Sequence, residues 1–445
     1  MGVPCEDSGC GEEQHHQGQQ HHPGQWRHQE QQEEEHLRPP LCFSMAAVIV
    51  DDIIICREPG VTRSPSGMPP DRVQHASHTN DMFTQALGGG NTFACNGMAI
   101  MCDHLQLPQT AAMVARVGRD ILTDVDFLNR MRELHIDTAG VTILDIPNPR
   151  GRLVSYMDGT RNFAMMDTAT YRDRFRPTVA DVPDHYIGAS GVHLLAAPQR
   201  AADIVTNLRR RGFRGLALLE PSPRVSAGDL PAMRALSPSF HVYSPNVHEA
   251  RRLLSAPPDM PAVAVTRQLL GELACPVVVV RCGEDGCIVA ARTWAASIPT
   301  VDTARFVNDT GCGNTFCGTF LAALCQPCCD SRDGAGDDDD DDNALDDGAV
   351  LGQRNGDDGG VEGAARQQQQ RQAGGQGVGS GDVEPEQVAS WVHGVLHDRD
   401  RLLFAALHGT VAASFTLESE GLPGTVDRDE HTARFTRLST RVTPL

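Results

Sequence analysis

Short apolar runs alternate with stretches of helical period along most of this chain, from about Phe43 onward. Ala46-Ala47-Val48-Ile49-Val50 runs into Asp51-Asp52 and resumes as Ile53-Ile54-Ile55, which reads as one buried strand. A Pro/Gly/Ser stretch from Pro59 to Pro70 predicts a loop, and Gly88-Gly89-Gly90-Asn91 opens a helical pattern from Thr92 to about Leu105. The pattern then predicts a strand over Ala111–Val117, a helix over Asp124–Leu134, a strand over His193–Ala196 and a helix over Ala201–Arg211. Strands are predicted over Gly215–Leu219 and His241–Ser244, a helix over His248–Leu254, and a hairpin of Val277–Arg281 with Cys287–Ala291. A glycine-rich turn precedes a helix over Asn314–Cys325, and a helical pattern covers Gln387–Thr416. Strands alternating with helices predict an α/β domain: a mostly parallel sheet with helices on both faces.

Two segments break this pattern and carry most of the charge. The net charge is -20; residues 1–40 hold eight acids against two arginines, and residues 330–386 hold sixteen against four, which leaves a nearly neutral body. Residues 1–40, rich in Gln, His and Glu, cannot bury enough apolar surface to fold and read as a disordered tail. Residues 327–386, with the Asp337–Asp342 and Gln367–Gln370 runs, read as a disordered acidic insertion. Loop insertion is thermodynamically cheap, so residues 41–326 and 387–445 are expected to form one domain. No basic stripe balances phosphate charge, which argues against nucleic-acid or anionic-membrane partners. The best membrane candidate, Met45 to Ile55, is interrupted by Asp51 and Asp52. With no apolar leader, and cysteines such as Cys95, Cys102, Cys275, Cys282 and Cys287 set in apolar segments, a reduced, cytoplasmic protein is expected.

The sharpest chemical feature is Asn308-Asp309-Thr310-Gly311-Cys312-Gly313-Asn314-Thr315-Phe316. Its glycines allow a tight turn, and a helix follows at once. The amides of Gly311, Cys312, Gly313 and Asn314 would then converge at the positive end of a helix dipole, an anion hole suited to a phosphoryl group. No Walker-type loop occurs, and no G-x-G-x-x-G follows the first strand, so nucleotide-binding folds built on those motifs fit poorly. Cys325 and Cys328 have C-x-x-C spacing but no second ligand pair for zinc.

Taken in order, these segments resemble the PfkB family of ribokinase-like carbohydrate kinases, and details are similar to a divergent branch best known from fungi. Asp309-Thr310-Gly311-Cys312-Gly313-Asn314 is similar to the family's D-T-x-G-A-G-D, one residue shorter. Asn246-Val247-His248-Glu249 resembles its N-x-x-E, and Val277 to Cys287 its strand–Gly–strand by the nucleotide. Ile49-Val50-Asp51-Asp52 with Gly88-Gly89-Gly90-Asn91 resembles the sugar-contacting segment. Asp158-Gly159-Thr160-Arg161-Asn162-Phe163 resembles D-G-x-R-x-F, and Ala405 to Thr416 the adenine-side helix.

The resemblance implies a ribokinase-like fold with a small β lid, ATP and Mg2+, and a sugar, nucleoside or related polyol as acceptor. It implies that Gly311, Cys312 and Gly313 hold the transferring phosphoryl group. Asn246 and Glu249 would organise magnesium through water, although Glu249 could instead pair with Arg251 or Arg252. Arg281, Gly283, Gly286, Thr310 and His408 would face the nucleotide. Asp51 or Asp52, with Gly89, Gly90 and Asn91, would hold the acceptor; adjacent strand residues point to opposite faces, and the choice leans to Asp52. Arg161 either reaches the acceptor from the lid or forms a surface ion pair. The family's catalytic aspartate is replaced by Asn314, an amide that cannot take a proton near neutral pH. Losing a general base typically costs about 10²–10⁴-fold, but phosphoryl transfer rests mostly on positioning and electrostatics. Either Asn314 orients the hydroxyl with slow turnover, or Asp309 supplies the carboxylate, or the chain is a pseudokinase that binds without turnover. Some relatives pair through their lids, so a homodimer is open; the sequence marks no surface for one.

Overall fold

The computed structural model describes residues 38–55, 82–155, 161–165, 174–303, 305–326 and 385–445. The expected tail and acidic insertion therefore lie outside the described residues, apart from their edges, as do the Pro59–Pro70 loop, Asp158 and Cys328. Two sheets organise the rest. Among the described residues the larger has ten strands and the smaller four. In the first, β11 (Val277–Arg281), β10 (Val242–Tyr243), β9 (Leu216–Pro221), β8 (Gly191–Ala196), β1 (Cys42–Met45), β4 (Ala111–Gly118) and β5 (Ile136–Leu144) are parallel neighbours. β12 (Cys287–Ala291), β13 (Trp294–Ile298) and β14 (Thr443–Pro444) extend it in antiparallel fashion.

Strand periodicity explains why the central strands are buried without alternation. Along β9, Leu216 and Leu218 enter one core while Ala217 and Leu219 enter the other. Val277 and Val279 of β11 split from Val278 and Val280 in the same way. Both faces are covered, so polar positions have nowhere to go. One face takes α1 (Gly90–His104), α8 (Cys312–Cys325) and α10 (Arg399–Leu417); the other takes α4 (Pro198–Arg210), α6 (Val247–Leu254) and α7 (Ala262–Glu272). The remaining helices are α2 (Ile121–Asp124), α3 (Phe127–Glu133), α5 (Leu230–Leu236), α9 (Pro385–His397) and α11 (Arg428–Ser439). Segments on both sides of residues 327–384 share the first core, where α10 packs on α8. No described helix is long and apolar enough to cross a membrane.

The strand expected over Ala46–Ile55 forms as β2 (Ile49–Ile55), but it lies in the small sheet, with β3 (Met82–Gly88), β6 (Arg150–Ser155) and β7 (Arg161–Met165), whereas β1 just before it belongs to the large one. The chain changes sheets across Ala46–Val48, and this carries Asp51 out to the edge of the large sheet's open end. The expected helix over Gln387–Thr416 is two helices, α9 and α10, parted at Asp398, whose carboxylate caps α10 by accepting from Arg401 N at 3.0 Å.

Candidate active site

The carboxyl ends of the parallel strands open onto a cavity of about 1270 Å³. Met45 at the end of β1, Leu195 in β8, Glu220 in β9, Asn246 after β10 and Arg281 in β11 all line it. This is where open α/β sheets hold ligands. Asp51 of β2 and the first turn of α8 complete its walls.

The α8 wall is set by Gly311, which caps the helix at φ 88°, a left-handed conformation that glycine adopts without penalty. A β-carbon there would sit 2.3 Å from the Phe93 ring. Asn308 Oδ1 accepts from Thr310 N at 3.0 Å and holds the turn. The N–H groups of a helix's first turn lack intrahelical partners, so Gly311, Gly313 and Asn314 present this end to the cavity. The Cys312 amide differs, since it donates back to Asp309 O at 3.3 Å. Close crossing of α8 over α1 fixes the turn's height: a β-carbon at Gly318 would lie 1.9 Å from Ala94 O.

Opposite stands Asp51, which separates from its neighbour. Its side chain lines the cavity, it is 4% exposed, and its Oδ1 is buried with no protein partner. Burial, and then the nearby Asp52, push its carboxyl up to about 7. Asp52 faces away from the cavity and accepts from Gln85 Nε2 at 3.1 Å and Arg150 Nη1 at 3.4 Å. The leaning to Asp52 is thereby corrected. The turn into α1 ties both walls together. Asp51 lies against Gly88, where a β-carbon would come within 1.9 Å of its Oδ2, and Asn314 lies over Gly90, where one would come within 3.1 Å of its Nδ2.

The other expected residues divide. Gly89, Gly90, Asn246, Glu249, Arg281, Gly283, Gly286, Asp309 and Thr310 line the cavity. Asn246 and Glu249 are a capping box on α6: Asn246 Oδ1 accepts from Glu249 N at 2.8 Å, and Glu249 Oε2 from Asn246 N at 2.9 Å. Glu249 is therefore held by its cap and lies 3.8 Å from Arg281 rather than pairing with Arg251 or Arg252. Asn91 is a structural pin instead of a ligand contact; fully buried, it donates from Nδ2 to Ala46 O at 3.2 Å and Val114 O at 2.9 Å. Arg161 begins β7 opposite Ser155.

His408 is also off the cavity. It points to the opposite side of α10, where its Nδ1 lies 2.8 Å from His431 Nε2 and its ring stacks on Phe435. Residues Thr410, Ala413 and Ser414 carry the cavity face of α10. His104 completes this histidine cluster, its ring 4.2 Å from that of His431 and only 17° from parallel. Two stacked imidazoles cannot both aim a ring-plane lone pair at one ion, so the cluster reads as packing.

Sequence reasoning missed the network beneath the α8 turn. Glu220 is 4% exposed. Its Oε1 lies 2.8 Å from Arg281 Nη1, and its Oε2 lies 3.1 Å from His193 Nε2 and 2.8 Å from Asn314 Nδ2. His193 Nδ1 lies 2.9 Å from Ser44 Oγ. Burial alone would raise the Glu220 carboxyl, but Arg281, His193 and Asn314 outweigh it and hold it at about 2. Arg281 donates to Ser244 O at 2.9 Å as well, while its Nε is buried without a partner. The only hint in the sequence was an acid ending the apolar run Leu216-Ala217-Leu218-Leu219.

The fold is similar to a ribokinase from Giardia lamblia, at 15% identity and TM-score 0.58 over 88% of this chain and 98% of that one. A nucleoside kinase from Methanocaldococcus jannaschii matches at 12% identity and TM-score 0.53, over 90% and 99%. A nucleoside kinase from Burkholderia thailandensis in complex with inosine matches at 13% and 0.53, over 89% and 98%. These likenesses identify a ribokinase-like α/β fold. No curated protein sequence matches the chain. The family model for pfkB family carbohydrate kinases matches residues 69–341, more than half of the chain, and the chain belongs to that family.

Proposed function

We propose that this chain transfers the terminal phosphoryl group of ATP to a hydroxyl of a small sugar, nucleoside or related polyol. One observation carries the reading: a single cavity joins a buried carboxylate with an unpartnered oxygen, Asp51, to a glycine-bent helix start, Gly311 to Asn314. The first is suited to a hydroxyl donor, the second to phosphate oxygens. The family and the nucleoside kinase bound to inosine support the acceptor class.

In this reading Asp51 accepts from an acceptor hydroxyl and orients the molecule, with the backbone of Gly89 and Gly90 beneath it. The α8 turn stabilises charge on the phosphoryl oxygens. A magnesium ion neutralises phosphate charge when bound. Asn246 Oδ1 and Glu249 Oε2 are committed to their capping box, so they would hold it through water. Asn314 supplies a dipole, not a proton acceptor, and slow turnover follows. Incubating the full chain with ATP, Mg2+ and a panel including D-ribose and inosine, with mass detection of phosphorylated product, tests this. Product that disappears in Asp51→Asn and Gly311→Val supports it; product unaffected by both would refute the site assignment.

The commitment of Asn314 to Glu220 favours a second reading, a pseudokinase that binds nucleotide or sugar without turnover. Calorimetric binding of ADP and acceptor with no product in the panel selects it.

A further inference from the structure

Residue 314 cannot be understood apart from Glu220. A carboxylate only accepts hydrogen bonds, so Glu220 Oε2 at 2.8 Å fixes Asn314 with its Nδ2 turned toward Glu220 and its Oδ1 on the other side of the amide. Glu220 is held from every side. Arg281 faces it from β11, His193 from β8, and Asn314 and Cys317 from α8, while Glu249 of α6 shares Arg281 with it. One guanidinium thus serves two buried acids. A third carboxylate at position 314 would stand at contact distance from Glu220, and two carboxylates sharing a site do not both ionise.

We propose that Glu220 and residue 314 form one coupled acid–amide pair able to carry a single negative charge, with Glu220 bearing it here and serving as the positioning residue that aims Asn314 Oδ1 at the acceptor hydroxyl. The catalytic half of this statement rests on the kinase reading above; the charge coupling does not. Asn314→Asp alone should therefore fail to create a base. It would put two acids on one site, whereas Asn314→Asp with Glu220→Gln moves the charge across the pair and keeps Arg281 satisfied.

Thermal unfolding of the ligand-free full chain tests the coupling without any assumption about activity. At pH 8, Asn314→Asp should lower the melting midpoint by about 5 °C in the wild-type background. In the Glu220→Gln background it should raise the midpoint instead. At pH 5 the loss in the wild-type background should shrink, because one proton relieves the pair. Equal shifts in both backgrounds, or a shift unchanged between pH 8 and pH 5, overturn the proposal. With ATP, Mg2+ and inosine or D-ribose, the double variant should form product at least tenfold faster than Asn314→Asp alone. Equal rates in those two variants overturn the positioning role. Reversal of the thermal effect with no product from any variant, wild type included, supports the charge pair and counts against the kinase reading.

Discussion

Asp51→Asn should make the free protein more stable and the site useless. Asp51 is 4% exposed, its Oδ1 has no protein partner, and burial with Asp52 raises its carboxyl from near 4 to about 7. The sign follows from proton binding. Between pH 4 and 7 the folded state holds a proton that the unfolded state releases, so this group's destabilisation grows as pH rises and is complete above 7. A shift of about three units at 1.36 kcal/mol each gives about 4 kcal/mol at pH 8 as an upper figure. Asparagine does not titrate, so the variant avoids that penalty. Its melting midpoint should exceed wild type by roughly 5 °C at pH 8 and match it near pH 4. Paired unfolding curves across pH 4–8.5 read this directly, and Asp52→Asn, which loses contacts to Gln85 and Arg150, is the control of opposite sign. An Asp51→Asn protein less stable than wild type at pH 8, or a gain that does not depend on pH, would refute the reasoning. Such a gain in stability alongside loss of acceptor binding is the signature of a carboxylate kept for function.

Gly311→Ala should reduce phosphoryl transfer by at least tenfold while leaving the fold intact, because left-handed backbone costs alanine about 1–2 kcal/mol and its β-carbon meets the Phe93 ring; steady-state kinetics with circular dichroism separate the two effects. Arg281→Met should destabilise the chain by about 3–5 kcal/mol, since Glu220 is left buried with its charge partner gone; urea titration measures it, and adding Glu220→Gln should recover most of the loss. Burial, His104 and Arg434 hold His431 at about 3, and burial with His431 and His104 holds His408 at about 2. Their contribution is therefore full above pH 6.5 and is lost as pH falls below it, by about 1.4 kcal/mol per pH unit for each. His431→Phe should flatten the fall in urea midpoint between pH 6.5 and 5.

Much of this architecture was readable from local pattern. The β11–β12 hairpin, Val277–Arg281 with Cys287–Ala291, lies where two continuous apolar runs and an intervening glycine place it. The helix starting at the Gly311 turn was readable for the same reason. What was not readable depended on tertiary partners. Ala46–Val48 is as apolar as the strands on either side, so nothing local marks the change of sheet. Asp51 and Asp52 differ only in which face of β2 they occupy. His408 sits on the correct helix but on the wrong side of it, and Asn91 satisfies backbone carbonyls from β1's exit and β4 that lie far off in sequence. Glu220, His193 and Ser44 meet only because β9, β8 and β1 are neighbours.

The most direct test is a crystal structure of the full chain with ADP, magnesium, aluminium fluoride and inosine. The fluoride group should sit against the backbone amides of Gly311 and Gly313, with a ligand hydroxyl on Asp51. A nucleotide bound away from the α8 turn, or an acceptor that leaves Asp51 untouched, would contradict this arrangement.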